Sequence, residues 1–177
     1  ESQLPREPEV YTIEFDGVRF SYDDKDAATR TEALCGVSFT AKEKTMTALV
    51  GPSGGGKSTI ANLIPRFWDV SAGSIRLGGV DIRDMGTEKL MDAVSFVFQD
   101  VHLFYDTIEE NIRMGRSDAG KEQVIQAAQM ACCHEFIERL PQGYQTKIGE
   151  GGTYLSGGEA QRVAIARAIL KDSPILV

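Results

Sequence analysis

Gly51-Pro52-Ser53-Gly54-Gly55-Gly56-Lys57-Ser58 restricts what this chain can fold into more than any other segment. Its spacing is glycine, four residues, glycine-lysine, then a hydroxyl residue. Thr45 to Val50 (TMTALV) is apolar and rich in β-formers, so it is predicted as a strand ending at Gly51. A helical run is predicted from Lys57 to about Phe67. Where a strand turns through glycines into a helix, the first helical amides stay unpaired and the helix dipole adds partial positive charge. Glycines let the main chain wrap an anion, because no Cβ blocks close approach or positive φ. Lys57 adds a full charge, and the Ser58 hydroxyl is a ligand for a divalent cation. Gly51, Ser53, Gly54, Gly55, Gly56, Lys57, Ser58 and Thr59 are therefore expected to cradle nucleotide phosphates with Mg²⁺.

The 177 residues carry a net charge of -7, which argues against a nucleic-acid binder with a broad basic face. No apolar stretch approaches the roughly 20 residues a membrane-spanning helix needs. Any membrane partner is thus expected to lie outside this chain, and Glu1 in place of Met points to a piece of a longer protein. Cys35, Cys132 and Cys133 form no CxxC and are expected to be reduced, cytosolic, partly buried thiols. His102 and His134 lie too far apart in sequence to propose a zinc site.

Residues 1–9 (ESQLPREPE) are read as a linker. Val10 to Tyr22 is predicted as two strands joined by an Asp16-Gly17 turn, followed by a polar loop from Asp23 to Arg30. Further strands are expected at Ala33 to Thr40, Ser74 to Leu77 and Val94 to Phe98, the last apolar throughout as in a sheet covered on both faces. A short helix is expected at Thr87 to Ala93. Helical signals dominate from Thr107 to Arg139, beginning with the Thr107-x-x-Glu110 spacing of a capping box. Gly120 to Phe136 carries Val124, Ala127, Ala128 and Ala131 near helical spacing, and Pro141-Gln142-Gly143 ends the block. A helix from Ser156 to Lys171 and a strand from Pro174 to Val177 complete an α/β domain with a small α subdomain.

Leu155-Ser156-Gly157-Gly158-Glu159 opens that last helix. Ser156-x-x-Glu159 is a capping box, which alone explains a helix start. It leaves two consecutive glycines unexplained, since each weakens a helix by up to ~1 kcal/mol. Bare N–H groups offered to an anion account for them. A phosphate loop followed by Leu-Ser-Gly-Gly-Glu-Ala-Gln-Arg resembles the ABC ATPase family, whose signature is LSGGQ. Glu159 stands where that family most often has glutamine, so Glu159 is expected to face the cap while Ser156, Gly157 and Gly158 touch nucleotide.

The resemblance covers about residues 10 to 177 and implies a RecA-like P-loop NTPase core. It implies an N-terminal antiparallel β subdomain and a helical subdomain, about 101–157, inserted after the Q-loop. Tyr22 would stack on adenine. Gln99 matches the Q-loop glutamine, which contacts Mg²⁺ and the attacking water; with Lys57 it is the catalytic candidate. Phe104 to Ile112 resembles the exporter segment that meets the coupling helices of the membrane domains, with core packing of Phe104 and Tyr105 as the alternative. Gly149-Glu150-Gly151-Gly152 resembles the short loop before the signature, also tied to that contact. Arg162 and Arg167 are read as general salt-bridge formers.

Soon after position 177 the family pattern requires an apolar strand ending in Asp-Glu, the Walker B pair, and later a switch histidine. This polypeptide is therefore expected to bind ATP weakly without turning it over, although the complete protein would be an ATP hydrolase. The implied function is the ATP-binding domain of an exporter, dimerising head to tail with a second such domain at the cytoplasmic face of a membrane. An importer subunit and a soluble non-transport ABC ATPase remain the alternatives. A nucleotide kinase or GTPase is disfavoured by the signature motif and by the lack of a guanine-reading Asn-Lys-x-Asp.

Overall fold

The computed structural model describes residues 8, 10–22 and 32–177. The linker read at 1–9, apart from Pro8, and the polar loop read at 23–30 lie outside the described residues. The chain divides into two compact units, Glu1–Val94 and Ser95–Val177.

The first unit is built on a four-stranded antiparallel sheet. Its strands are β1 (Ile13–Phe20), β2 (Leu34–Ala41), β3 (Ala72–Leu77) and β4 (Val80–Asp81), in the order β2-β1-β3-β4. Helices α1 (Lys57–Leu63) and α2 (Thr87–Ala93) complete it. In β1 the buried side chains are Ile13 and Phe15, then Val18 and Phe20. The parity of burial changes at Asp16-Gly17, where the register shifts on both flanking strands. One extra residue there keeps both halves of β1 facing the same core. Gly17 takes φ 59 and its N–H donates to Ser38 Oγ at 2.8 Å. The pair expected to turn a hairpin is thus a bulge within one strand, and the partners come from β2 and β3 instead.

Residues 45–50 form no strand. Met46 is 98% exposed and Val50 92%, and no described strand pairs with the segment. An apolar β-prone run becomes a strand only where a neighbouring backbone completes its ladder, and composition does not supply that neighbour. Helix α1 ends earlier than predicted, because Arg66 adopts the left-handed φ of 58. Its guanidinium donates to Asp69 and to the Arg83 carbonyl, which holds this turn.

The second unit is mostly helical. It contains α3 (Ile108–Arg113), α4 (Lys121–Met130), α5 (His134–Arg139) and α6 (Gly157–Lys171). Two short strands, β6 (Asp106–Thr107) and β7 (Lys147–Ile148), pair antiparallel. Thr107 accepts from the Glu110 N–H at 3.1 Å, but the reciprocal half of the expected capping box is replaced: the Thr107 N–H donates to Asp106 Oδ1 at 2.7 Å and the Glu110 carboxylate pairs with Arg113. The helical spacing read over 120–136 is interrupted between α4 and α5, where Cys132 takes φ 55. The break lets Cys133 and Ile137 join Ile108, Ile112, Val124, Ala128, Val163 and Ala166 in one buried cluster. Burial raises the Cys133 thiol to about 11, so it stays protonated and inert. Cys35 and Cys132 are exposed.

The strand expected at Val94 to Phe98 is shorter, β5 (Val94–Ser95), and pairs with β8 (Ile175–Leu176). Val177 N donates to Ser95 O and Val97 N donates to Val177 O, each at 2.9 Å, the bond pattern of parallel neighbours. The end of α3 and α6 approach closely: a Cβ on Gly115 would lie 2.1 Å from the Arg167 carbonyl oxygen. A backbone atom cannot swing aside, so Gly115→Ala should destabilise the protein by about 1–3 kcal/mol. Urea unfolding monitored by circular dichroism would show this as a lowered midpoint, and an unchanged midpoint would refute the close packing.

Candidate functional site

The phosphate loop belongs to the first unit. Its curvature depends on glycine at two positions, Gly54 with φ 78 and Gly56 with φ 80. Gly55 N–H donates to Pro52 O at 3.1 Å and closes the turn. At Gly56 the constraint is also spatial, since a Cβ would meet Leu34 Cδ2 at 2.7 Å and Ala33 O at 2.9 Å. The loop is therefore seated on the start of β2.

Gly56 is the N-cap of α1 and carries no side chain to cap it, and the first turn holds no acidic residue. Ile60 N–H, bonded to Gly56 O at 2.9 Å, begins the helical ladder. Among the described residues the N–H groups of Gly56, Lys57, Ser58 and Thr59 make no backbone hydrogen bond. The Lys57 ammonium donates to Gly51 O at 2.9 Å and Pro52 O at 2.6 Å, folding over its own loop. Gly51 to Gly55 and Ser58 are exposed. The loop thus offers free donors, one cation and a hydroxyl to solvent.

Tyr22 comes to the same place from the end of β1. Its hydroxyl lies 3.0 Å from Thr59 Oγ1, and which oxygen donates is open to either. Thr59 is buried, and its side-chain oxygen is engaged by Tyr22. Phe20 and Trp68 meet the Tyr22 ring at interplanar angles of 86° and 85°, with centroids 4.8 and 5.5 Å away. Sequence patterning gave no role to Trp68. The signal that marks it is the Phe67-Trp68 pair just beyond α1, which the Arg66 turn directs.

In the second unit, Ser156 and Glu159 form the expected capping box. The Glu159 carboxylate accepts from the Ser156 N–H and hydroxyl, both at 2.8 Å, and Ser156 Oγ accepts from Glu159 N–H at 3.3 Å. Glu159 thus faces the cap. Ser156, Gly157 and Gly158 are exposed, and nothing lies within 4 Å of a Cβ built on either glycine. Gln99 is exposed beyond β5.

Phe104 and Tyr105 are 55% and 60% exposed, which sets aside core packing. A bracket that the sequence did not reveal holds the Phe104 backbone. Buried Asn111 accepts from Phe104 N–H and donates to Phe104 O, each at 2.9 Å. Arg167 forms no salt bridge among the described residues, contrary to expectation. It donates to Asn111 O at 2.8 Å, to Asn111 Oδ1 at 3.1 Å and to His102 O at 3.3 Å, and sits over the Phe104 ring. Arg162 lies over the Phe136 ring. Gly149 has φ +90, and a Cβ there would lie 2.5 Å from the Phe104 carbonyl carbon, so this loop is pressed against the same segment.

The Gly-x4-Gly-Lys-Ser spacing, folded here as a glycine loop whose bare amides open a helix, is the phosphate loop of P-loop NTPases. The family model described as ABC transporter matches residues 34–177. A relative named ATP-dependent lipid A-core flippase, from Legionella pneumophila (strain Paris), is 49% identical over 93% of this chain and 27% of that protein. A Bacillus subtilis (strain 168) ATP-binding/permease protein, whose name assigns it to multidrug export, is 47% identical over 93% of this chain and 28% of its own length. A solved bacterial Atm1-family ABC exporter with ATP bound superposes with a TM-score of 0.90 at 45% identity, covering 99% of this chain and 30% of that one. The chain belongs to the ABC transporter family, and its fold is the ABC ATPase fold. It spans under a third of the length of these relatives.

The Ser156 bonds, first that from its backbone N–H and then that from its hydroxyl, hold the Glu159 carboxyl below its usual range. The cap's contribution is thus complete above the unfolded value of about 4.3 and is lost as pH falls through the lower folded value. Carbon-13 NMR should give Glu159 a titration midpoint below that of an unstructured glutamate. Ser156→Ala should move the midpoint back toward that reference. Equal midpoints in the two proteins would refute the assignment.

Proposed function

We propose that this chain is the nucleotide-binding domain of an ABC exporter. The carrying observation is the set of amides at residues 56–59, which make no backbone hydrogen bond among the described residues, beside an ammonium group held by exchangeable carbonyl contacts. These donors fit a polyphosphate. Gly51, Ser53, Gly54, Gly55, Gly56 and Thr59 would hold ATP mainly through the backbone, with Lys57 on the β- and γ-phosphates. Tyr22 would stack on adenine. Gln99 is proposed as the Q-loop residue on its sequence match alone, and Ser58 would ligate Mg²⁺, which neutralises phosphate charge. The Ser58 hydroxyl, free of hydrogen bonds among the described residues, suits that role.

Ser156, Gly157 and Gly158 would close on ATP held by a second domain. Their exposure supports that role, as does a cap that leaves both glycines uncovered. Residues 10–177 would form one ABC ATP-binding domain, with an antiparallel β subdomain before the phosphate loop and a helical subdomain over about 101–157. The attached transmembrane domains would place it at the cytoplasmic face of the membrane, with Phe104 and Tyr105 facing them. Relatives named for flipping and export favour this over an importer subunit or a soluble ABC ATPase. The complete protein would hydrolyse ATP.

In the complete protein, Lys57→Ala removes charge-assisted bonds of about 1.5–3 kcal/mol, so ATP affinity should fall roughly 10- to 100-fold. ATP-dependent association of the two domains should vanish with it. Calorimetric titration and cross-linking read the two effects. Association indifferent to ATP in the unsubstituted protein would overturn the proposal. Ser58→Ala should weaken ATP binding in Mg²⁺ more than in EDTA. An equal loss in both conditions would remove Ser58 from the metal site.

A further inference from the structure

We infer that Thr59 and Trp68 are positioning residues for recognition of the nucleotide base, acting through Tyr22. This rests on the proposed adenine role of Tyr22 and concerns what fixes its ring. A tyrosine at the end of a strand turns freely about two side-chain bonds, and ordering it costs entropy when a base binds. Here its ring is restrained in advance on two sides. Tyr22 Oη is 3.0 Å from Thr59 Oγ1, in the first turn of α1 and one residue beyond Ser58. Trp68, approached through the Arg66 turn, meets the ring at 5.5 Å and 85°. Phe20 meets it at 86°. Neither neighbour stacks flat on Tyr22, and the residue stays 44% exposed, so a planar base still finds surface.

The Thr59 bond differs in kind from the ring contacts. It joins the stacking surface to the same helical turn that carries the unpaired amides, across 37 positions of sequence. Thr59 is buried and its oxygen faces Tyr22, so this side chain is committed to the ring and not directed at solvent. Base and triphosphate would thus be read by groups held in one frame. The selectivity should show as a preference for a ligand that has both.

The test compares MgATP with magnesium tripolyphosphate, which has the phosphates and no base, on the full-length protein by competition against a labelled nucleotide. Tyr22→Phe keeps the ring and removes the tether, and it should weaken ATP about 2- to 10-fold, the range of one neutral hydrogen bond. Tripolyphosphate should change by less than two-fold. Thr59→Val combined with Tyr22→Phe should weaken ATP no further than Thr59→Val alone, because the two share one bond. Trp68→Leu should weaken ATP selectively, and Trp68→Phe should restore part of the loss. If Tyr22→Phe matches the unsubstituted protein while Tyr22→Ala loses ATP selectively, the tether is refuted and the stacking role stands. If Tyr22→Ala leaves ATP binding intact, the stacking role falls as well. Equal losses of both ligands in Tyr22→Phe would show a collapsed loop and overturn the inference.

Discussion

Helix α1 begins on a residue with a left-handed backbone and no side chain, and the site follows from that. A serine or aspartate at Gly56 would cap the first turn and consume one of its amides. It would also collide with Leu34 Cδ2 and Ala33 O at the start of β2. Glycine leaves the amides bare and lets the loop rest on the sheet. The four antiparallel strands therefore do more than bury Ile13, Phe15, Val18 and Phe20. They provide the floor that sets the height of the loop, and β1 delivers Tyr22 to its side.

The two glycine-rich helix starts solve the same electrostatic problem differently. At α1 no side chain competes for the amides, and Lys57 occupies itself with Gly51 O and Pro52 O. At α6 the Ser156–Glu159 box satisfies the cap and leaves the glycine carbons open. A complete cap keeps the helix start ordered while Gly157 and Gly158 stay exposed. Behind it α6 is tied down by the buried cluster and by Arg167, whose three donors end on Asn111 and His102.

The chemistry of the candidate site was largely legible in the sequence. Gly51 to Ser58, the Thr107 cap and the Ser156–Glu159 box are local patterns, each spanning a turn or two. The Ser156–Glu159 box forms in full, Thr107 keeps only its half of the cap, and Gly54 and Gly56 take the positive φ that the glycine pattern allows. Helix α2 also matches its predicted limits. The misreadings share a cause. Asp16-Gly17 has the composition of a hairpin turn, and a bulge differs from it only in where the partner strands come from. Residues 45–50 have the composition of a buried strand, yet they are exposed and pair with no described strand. Arg167 has the formal charge of a salt-bridge former, yet it spends its guanidinium on carbonyl and carboxamide oxygens 56 and 65 positions away.

Sequence by itself determined where a helix opens on glycine with uncapped amides and where helices start. Those properties arise from backbone freedom at glycine and from bonds spanning three or four residues, which the order of side chains dictates. Tertiary structure alone decided that Tyr22 leans on Thr59, that Trp68 stands beside it, and that Arg167 reaches Asn111 and the Phe104 ring. Each of these needs two distant segments brought within bonding reach. Distance through space is set by which faces bury together, and no local pattern encodes it.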